Sequence, residues 1–274
     1  MSHNAKATYP ELTAAAENWR YQPPEDCLKQ QNFLVTGAGD GIGAALARTI
    51  ACFGGNVVLL GRTREKLEIV FDWIEANTPT RPVIVPCDLE QLTEDSANIL
   101  SDSIRETYGT LNGLINNASR LGPKVPLAHY PVDEWQRVMQ TNANAPFILT
   151  QGLFELLDEA KRASVINLSS TVGREGRAYW GAYSASKFAL EGFTQILADE
   201  TEEAGRIRVF SVNPGGTRTK MRAAAYPLEN PESVPPPEFH MDLLLYLLTG
   251  DPAEPDYPAT GTPLDSRTWR TSNA

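Results

Sequence analysis

The sequence is short of the residues that several protein classes need. Three cysteines (Cys27, Cys52 and Cys87) in 274 residues are scattered and odd in number, which rules against a disulfide framework. They read as thiols of a reducing compartment. Three histidines (His3, His129 and His240) show no ligand spacing, so no metal site is expected. Long apolar runs are missing too. The longest strongly apolar stretch, Leu243 to Leu248, falls far short of the roughly 18 to 20 residues a bilayer requires. The first 32 residues carry charges and prolines throughout and no apolar segment of a signal peptide. Cations are outnumbered, 24 Lys plus Arg against 34 Asp plus Glu, for a formal net charge of −10. That balance disfavours nucleic acid and anionic membrane surfaces, which draw affinity from clustered cations. The expectation is a cytoplasmic protein acting on small molecules.

What is present is enough for one large α/β domain: 42% of residues are apolar and 21% charged. Residues 1–31 read as a polar N-terminal arm, with a short helix around Glu11 to Trp19 and Trp19 packing back on the domain. Residues 32–274 form the domain. Short apolar strands alternate with helical patterns: strands at Phe33–Thr36, Asn56–Leu60, Val83–Val85, Gly113–Asn116, Val165–Leu168 and Arg208–Val212. Helices fall at Ile42–Phe53, Thr63–Asn77, Leu92–Tyr108, Asp133–Leu157 (bent near Pro146) and Tyr183–Glu203. Repeated β-α-β units of this kind predict a single Rossmann-like, doubly wound parallel sheet with helices on both faces. Its ligand crevice belongs at the carboxyl ends of the strands.

Past Pro214 the pattern changes. Residues 214–237 hold six prolines and no clear periodicity, too long for an ordinary connection and suited to a substrate lid. Phe239 to Leu248 predicts one more helix, and Thr260 to Leu264 a last strand.

The first strand runs into Thr36-Gly37-Ala38-Gly39-Asp40-Gly41-Ile42-Gly43. Glycines there let the backbone approach a diphosphate, and the helix that follows offers unpaired N–H groups and a positive dipole end. The spacing is Gly37-x-x-x-Gly41-x-Gly43; the generic G-x-G-x-x-G frame fails at Ile42.

This turn resembles the cofactor turn of the short-chain dehydrogenase/reductase family, and further landmarks follow in order across residues 33 to about 220. Asp88, followed by Leu89, stands after the third strand. Asn116-Asn117-Ala118-Ser119 is similar to Asn-Asn-Ala-Gly, with Ser119 departing at the last position. Asn142, Ser169-Ser170, Tyr183-Ser-Ala-Ser-Lys187 and Pro214-Gly215 complete the set. The N-terminal arm, Leu60-Gly61-Arg62-Thr63 and Pro214-Gly215-Gly216-Thr217-Arg218-Thr219 resemble a bacterial subgroup of uncharacterised oxidoreductases in that family. The chain's C-terminal end departs from the family's glycine-rich last strand.

The resemblance implies hydride transfer between a nicotinamide cofactor and a carbonyl or alcohol. Tyr183 would be the general acid/base, Ser170 would hold the carbonyl, and Lys187, one helical turn on, would favour the phenolate by its charge. Asn142 would fix a water linking Lys187 to solvent. Cofactor contacts are implied at Gly37, Asp40, Gly41, Ile42, Gly43, Arg62, Asp88, Leu89, Asn117, Tyr183, Lys187, Pro214, Gly215, Thr217 and Thr219, and a homodimer or homotetramer is implied as well. A second reading keeps the fold as a catalytically silent NAD(P)-sensing protein. The presence of both Tyr183 and Lys187 favours the enzyme.

NADP is favoured over NAD. An NAD site places an acidic residue at the end of the second strand. Here that strand ends Leu59-Leu60-Gly61-Arg62, with glycine in place of the acid and a guanidinium suited to a phosphate next to it. Asp40, just before Gly41, argues the other way, because many NADP-preferring members of the family that the chain resembles carry a basic residue there.

Overall fold

The structure, a computed structural model, describes residues 9–271; residues 1–8 of the arm, His3 among them, and residues 272–274 lie outside the described residues. In chain order the elements are α1 (Pro10–Ala16), β1 (Asn32–Thr36), α2 (Gly41–Cys52), β2 (Asn56–Gly61), α3 (Arg64–Asn77), β3 (Val83–Pro86) and α4 (Glu94–Tyr108). There follow β4 (Gly113–Asn116), α5 (Val132–Met139), α6 (Ala145–Gly152), α7 (Phe154–Asp158), β5 (Ala163–Leu168), α8 (Gly181–Glu202) and β6 (Ile207–Asn213). The chain ends with α9 (Lys220–Ala225), α10 (Met241–Thr249), β7 (Pro263–Asp265) and α11 (Ser266–Thr271). No helix among the described residues is long and apolar enough to cross a membrane.

The chain divides into two compact units. The first comprises Met1–Cys87, Gly216–Pro258 and Ser266–Ala274. Its strands run parallel in the order β3-β2-β1, with Phe33 opposite Val57 and Leu59 opposite Ile84. β1 is buried along its whole length, as expected of a strand covered on both faces. α2 is alanine-rich and therefore a strong helix former, and it buries Ala44, Ala45, Leu46, Ala47 and Ile50. α3 buries Leu67, Val70 and Ile74, one stripe of an amphipathic helix.

The arm packs on this first unit. Leu12 is fully buried, Trp19 donates Nε1–H to the Glu238 carbonyl at 3.3 Å, and the Tyr9 hydroxyl donates to Glu238 Oε1 at 2.6 Å. Residues 216–237 are not the irregular excursion that their prolines suggest. They contain α9, capped by Thr219 Oγ1 accepting from the Arg222 N–H at 3.2 Å, and an Arg222–Glu229 ion pair. The Arg218 N–H bonds to the Pro235 carbonyl at 2.8 Å.

The second unit comprises Asp88–Gly215 and Ala259–Asp265. Its strands, also parallel, run β4-β5-β6-β7, with Asn116 opposite Asn167, Leu168 opposite Val212 and Asn213 opposite Asp265. With the first unit's three strands, seven parallel strands flanked by helices make the Rossmann-like α/β fold anticipated above. The single bent helix expected over Asp133–Leu157 is corrected. α5 passes through a π-helical turn, Gln140–Asn144, into α6, and the run breaks at Leu153 before α7. Pro146 follows the π turn within a continuous helical run, and its missing N–H goes with the distortion falling in the turn just before it. At the far end of α6, a Cβ on Gly152 would come within 2.8 Å of the Ala97 side chain, which draws α4 and α6 close together.

Candidate active site

In the first unit, β1 ends at Thr36 and the chain turns through Gly37 (φ 67°) to Gly41 (φ 52°), left-handed conformations that side chains resist. Asp40 caps α2, its Oδ1 accepting from the Gly41 N–H at 2.9 Å. The N–H groups of Ile42 and Gly43 follow in the first turn, where no helical carbonyl can reach them. The Asp40 carboxylate is held by two cations: Lys66 of α3 at 2.8 Å and Lys220 of α9 at 3.0 Å. Partial burial pushes the carboxyl up, but its hydrogen bonds to these lysines hold it below the ordinary range. Arg62 follows β2 directly and is exposed. Thr219 lies against the turn: a Cβ on Gly41 would come within 3.1 Å of its methyl group. Thr217 is buried, its hydroxyl 2.9 Å from His240 Nε2, and His240 Nδ1 is 2.9 Å from Ser266 Oγ.

In the second unit, α8 carries Tyr183, Lys187, Glu191 and Thr194 on its buried face. Lys187 is 2% exposed; its ammonium donates to the Leu168 carbonyl at the end of β5 at 2.7 Å and lies 5.7 Å from the Tyr183 ring centre. Burial lowers its pKa to about 8, with Glu191 acting in the opposite sense. Glu191 accepts from Arg174 Nε at 2.8 Å and from the Ser211 hydroxyl at 2.6 Å. Burial raises the Tyr183 phenol, while the hydroxyls of Ser170 and Ser119 act to lower it. The net direction is upward, opposite to the lowering expected from Lys187, because burial outweighs these hydroxyls. Between the two candidate serines, Ser170 is the one that reaches Tyr183. Its Oγ also accepts from the Val172 N–H at 3.4 Å.

Asn142 sits in the π turn and is fully buried. Its Oδ1 accepts from the Arg120 N–H at 2.7 Å, and its Nδ2 donates to the Arg120 carbonyl at 2.9 Å and to Ser186 Oγ at 3.0 Å. The side-chain amide therefore clamps the loop after β4 to α8, one residue before Lys187. π turns are common at functional sites, and this one aims Asn142 inward.

The other expected contacts of this unit lie at strand ends. Asp88 caps a short turn containing Leu89, its Oδ1 accepting from the Glu90 N–H at 3.1 Å. Asn117 is half-buried just past β4. Pro214 is half-buried past β6, and Gly215 (φ 74°) donates its N–H to Asn213 Oδ1 at 3.0 Å.

Each unit carries features that suit part of a dinucleotide. In the first unit the glycines leave bare backbone at a helix N-terminus, and a Cβ on Gly39 would meet Lys66 Cβ at 2.9 Å. In the second, Asn116 Oδ1 and Ser169 Oγ are buried without a hydrogen-bond partner. Two such atoms at the carboxyl ends of β4 and β5 fit a polar ligand there. Lys66, Lys220, Glu191 and Arg174 escaped the sequence reading, since they act through partners distant along the chain. Only Ser119, as a departure from the family pattern, carried a signal.

The family model for short chain dehydrogenases matches residues 31–230. The chain is 46% identical over 231 residues to the uncharacterized oxidoreductase YciK of Escherichia coli (strain K12), covering 84% of this chain and 91% of that protein. Among solved structures, a short chain dehydrogenase from Shigella flexneri 2a, complexed with NADP, superposes with a TM-score of 0.84 at 43% identity. It covers 89% of this chain and all of its own. One from Escherichia coli CFT073, complexed with NADPH, gives the same score, identity and coverage.

Proposed function

The chain belongs to the short-chain dehydrogenase family, and from that premise we propose that it is an NADP-dependent oxidoreductase that reduces a carbonyl or oxidises the matching alcohol, with Tyr183 as general acid/base. The carrying observation is the second unit's arrangement of buried Tyr183 and Lys187 with half-buried Ser170. NADP(H), when bound, supplies the hydride chemistry. Tyr183, fully protonated at neutral pH because burial raises it, gives its proton to the carbonyl oxygen as reduction proceeds. Ser170 holds that oxygen beside the phenol. Lys187, cationic below about pH 8, stabilises the phenolate left behind. Asn142 keeps the loop after β4 and α8 in register.

The cofactor assignment rests on Arg62, Gly37, Asp40, Gly41, Ile42, Gly43, Thr217 and Thr219 of the first unit and Asp88, Leu89, Asn117, Tyr183, Lys187, Pro214 and Gly215 of the second. NADP-bound relatives support it, and so does the charge around the turn. Lys66 and Lys220 leave Asp40 overcompensated, and Arg62 adds a guanidinium able to bind a phosphate in bidentate fashion. Residues 214–237 serve as the lid. Exposed Phe147, Phe188 and Ile196 supply an apolar surface for a homo-oligomer.

The test is loss of NADPH absorbance against a panel of carbonyl compounds. Tyr183→Phe is expected to keep the fold and NADPH affinity while lowering turnover by ~10²- to 10⁴-fold. Near-normal turnover in that variant would refute the mechanism. NADPH binding without turnover of any carbonyl by the wild type would favour the sensing protein.

A further inference from the structure

Tyr183 stands in the first turn of α8, and that turn lacks the usual means of fixing a helix start. Trp180 occupies the N-cap position, where an indole has no oxygen to offer the first N–H groups. Two of the three residues at the junction have positive φ: Tyr179 (71°), where a side chain is rarely tolerated, and Gly181 (25°). Such strain persists where the surrounding structure enforces it, and it gathers at functional sites. One anchor comes from the segment before α8, where the Val172 carbonyl accepts from the Ser184 hydroxyl at 2.5 Å.

The other anchor is an aromatic ring from the loop after β4. A Cβ on Gly181 would fall 2.5 Å from both Cδ2 and Cε2 of Tyr130, so that ring lies directly against bare backbone. At its hydroxyl end the ring meets a second glycine: a Cβ on Gly122 (φ 67°) would collide with the Tyr130 oxygen. Trp135 of α5 backs the ring edge-on, at 5.9 Å and 89°. Tyr130 is thus wedged between two glycines, one on its own loop and one two residues before Tyr183. Among the described residues its buried hydroxyl meets no hydrogen-bond partner, so ring packing ties it to α8.

Resting on the oxidoreductase reading, we infer that Tyr130 is a positioning residue for Tyr183. Its ring, pressed on Gly181, sets the direction in which α8 leaves the turn, and so aims the phenol. Glycine is required at 181 for the same reason, since any side chain there would displace the ring. A misplacement of about 1 Å can cost on the order of 10²-fold in rate.

The test compares Tyr130→Phe, which keeps the ring, with Tyr130→Leu, which removes it. On a carbonyl that the wild type reduces with NADPH, Tyr130→Leu should lower kcat by about tenfold or more, with KM and NADPH affinity changed less than about threefold. Tyr130→Phe should keep kcat near the wild-type value and be no less stable, because it deletes an unpaired buried hydroxyl. A loss of folding stability alone would leave kcat of the folded protein unchanged. A second readout needs no turnover. In protein labelled with 13C at tyrosine Cζ, the Tyr183 resonance is identified by its absence from Tyr183→Phe. It should move in Tyr130→Leu and stay in place in Tyr130→Phe. A wild type that reduces no carbonyl sinks the oxidoreductase reading, and this resonance then decides the inference alone. Gly122→Ala serves where Tyr130→Leu does not fold. Its methyl pushes on the Tyr130 hydroxyl, so it should move the Tyr183 resonance, and adding Tyr130→Phe should bring the resonance back. An unmoved resonance or unchanged kcat in Tyr130→Leu, a loss carried by KM, or a Tyr130→Phe as impaired as Tyr130→Leu overturns the inference.

Discussion

Lys187 is a charged group inside the protein, and replacing it should make the cofactor-free chain more stable while destroying its chemistry. Its pKa falls from 10.5 in a free side chain to about 8 in the fold, chiefly because burial penalises the cation. The direction of the pH effect follows. Below pH 8 the folded and unfolded chains both carry the proton, and the full cost of burying the cation is present. Between about 8 and 10.5 only the unfolded chain keeps it, so stability rises with pH. Above 10.5 the cost is gone. Two and a half pKa units correspond to about 3 kcal/mol at neutral pH.

Lys187→Met keeps most of the stem's volume and removes the charge. It also strips the Leu168 carbonyl of the donor at 2.7 Å, which returns about 1 kcal/mol. The variant should therefore be more stable than wild type by about 2 kcal/mol at pH 7 in urea unfolding without cofactor. Because Met does not titrate, the difference isolates this one group. It should narrow by about 1 kcal/mol between pH 7 and pH 9. A difference that is constant or widens with pH would falsify the depressed lysine. Turnover should be lost at every pH.

The same lysine sets an alkaline limit on activity. kcat/KM for reduction is expected to decline above about pH 8, and Glu191→Gln should move that limb to lower pH, because Glu191 favours the Lys187 cation; an unmoved limb would mean that Glu191 serves Arg174 and Ser211 alone. Arg62→Ala should weaken NADPH binding by roughly 10- to 150-fold, the scale of one charged hydrogen bond, and leave NADH nearly unchanged. Gly61→Asp should shift preference toward NADH, since its Cβ meets only the end of Leu67 at 3.1 Å; equal weakening of both nucleotides by Arg62→Ala would remove Arg62 from phosphate recognition. His240→Ala should quicken proteolysis within residues 216–237 and lower NADPH affinity, because His240 ties Thr217 to Ser266. Unchanged cleavage would show that residues 216–237 are held by their own ion pairs instead.

Legibility in the sequence followed distance along the chain. The parallel strands were readable because each buried run is continuous and local. Tyr183 and Lys187 were readable because four residues on a helix are one turn. The glycine turn was readable because only glycine accepts the backbone angles at Gly37 and Gly41. What Lys187 does to Tyr183 was not readable. A cation one turn away lowers a phenol's pKa in the abstract, but burial acts more strongly on this hydroxyl, and burial belongs to the whole fold.

Asp40 shows the same limit where it matters most for the cofactor. Considered as a neighbour of Gly41, it is a carboxylate where a phosphate should approach, and it speaks against NADP. In the fold, Lys66 stands 26 residues away in sequence and 2.8 Å away in space, and Lys220 of α9 is 3.0 Å away. One negative charge between two positive ones leaves a net positive cluster beside the helix N-terminus. Asp40 caps α2 through Oδ1 and gathers both ammonium groups through Oδ2. The residue that counted against a 2′-phosphate is thus the one that assembles cations next to the turn, and one of those cations comes from α9.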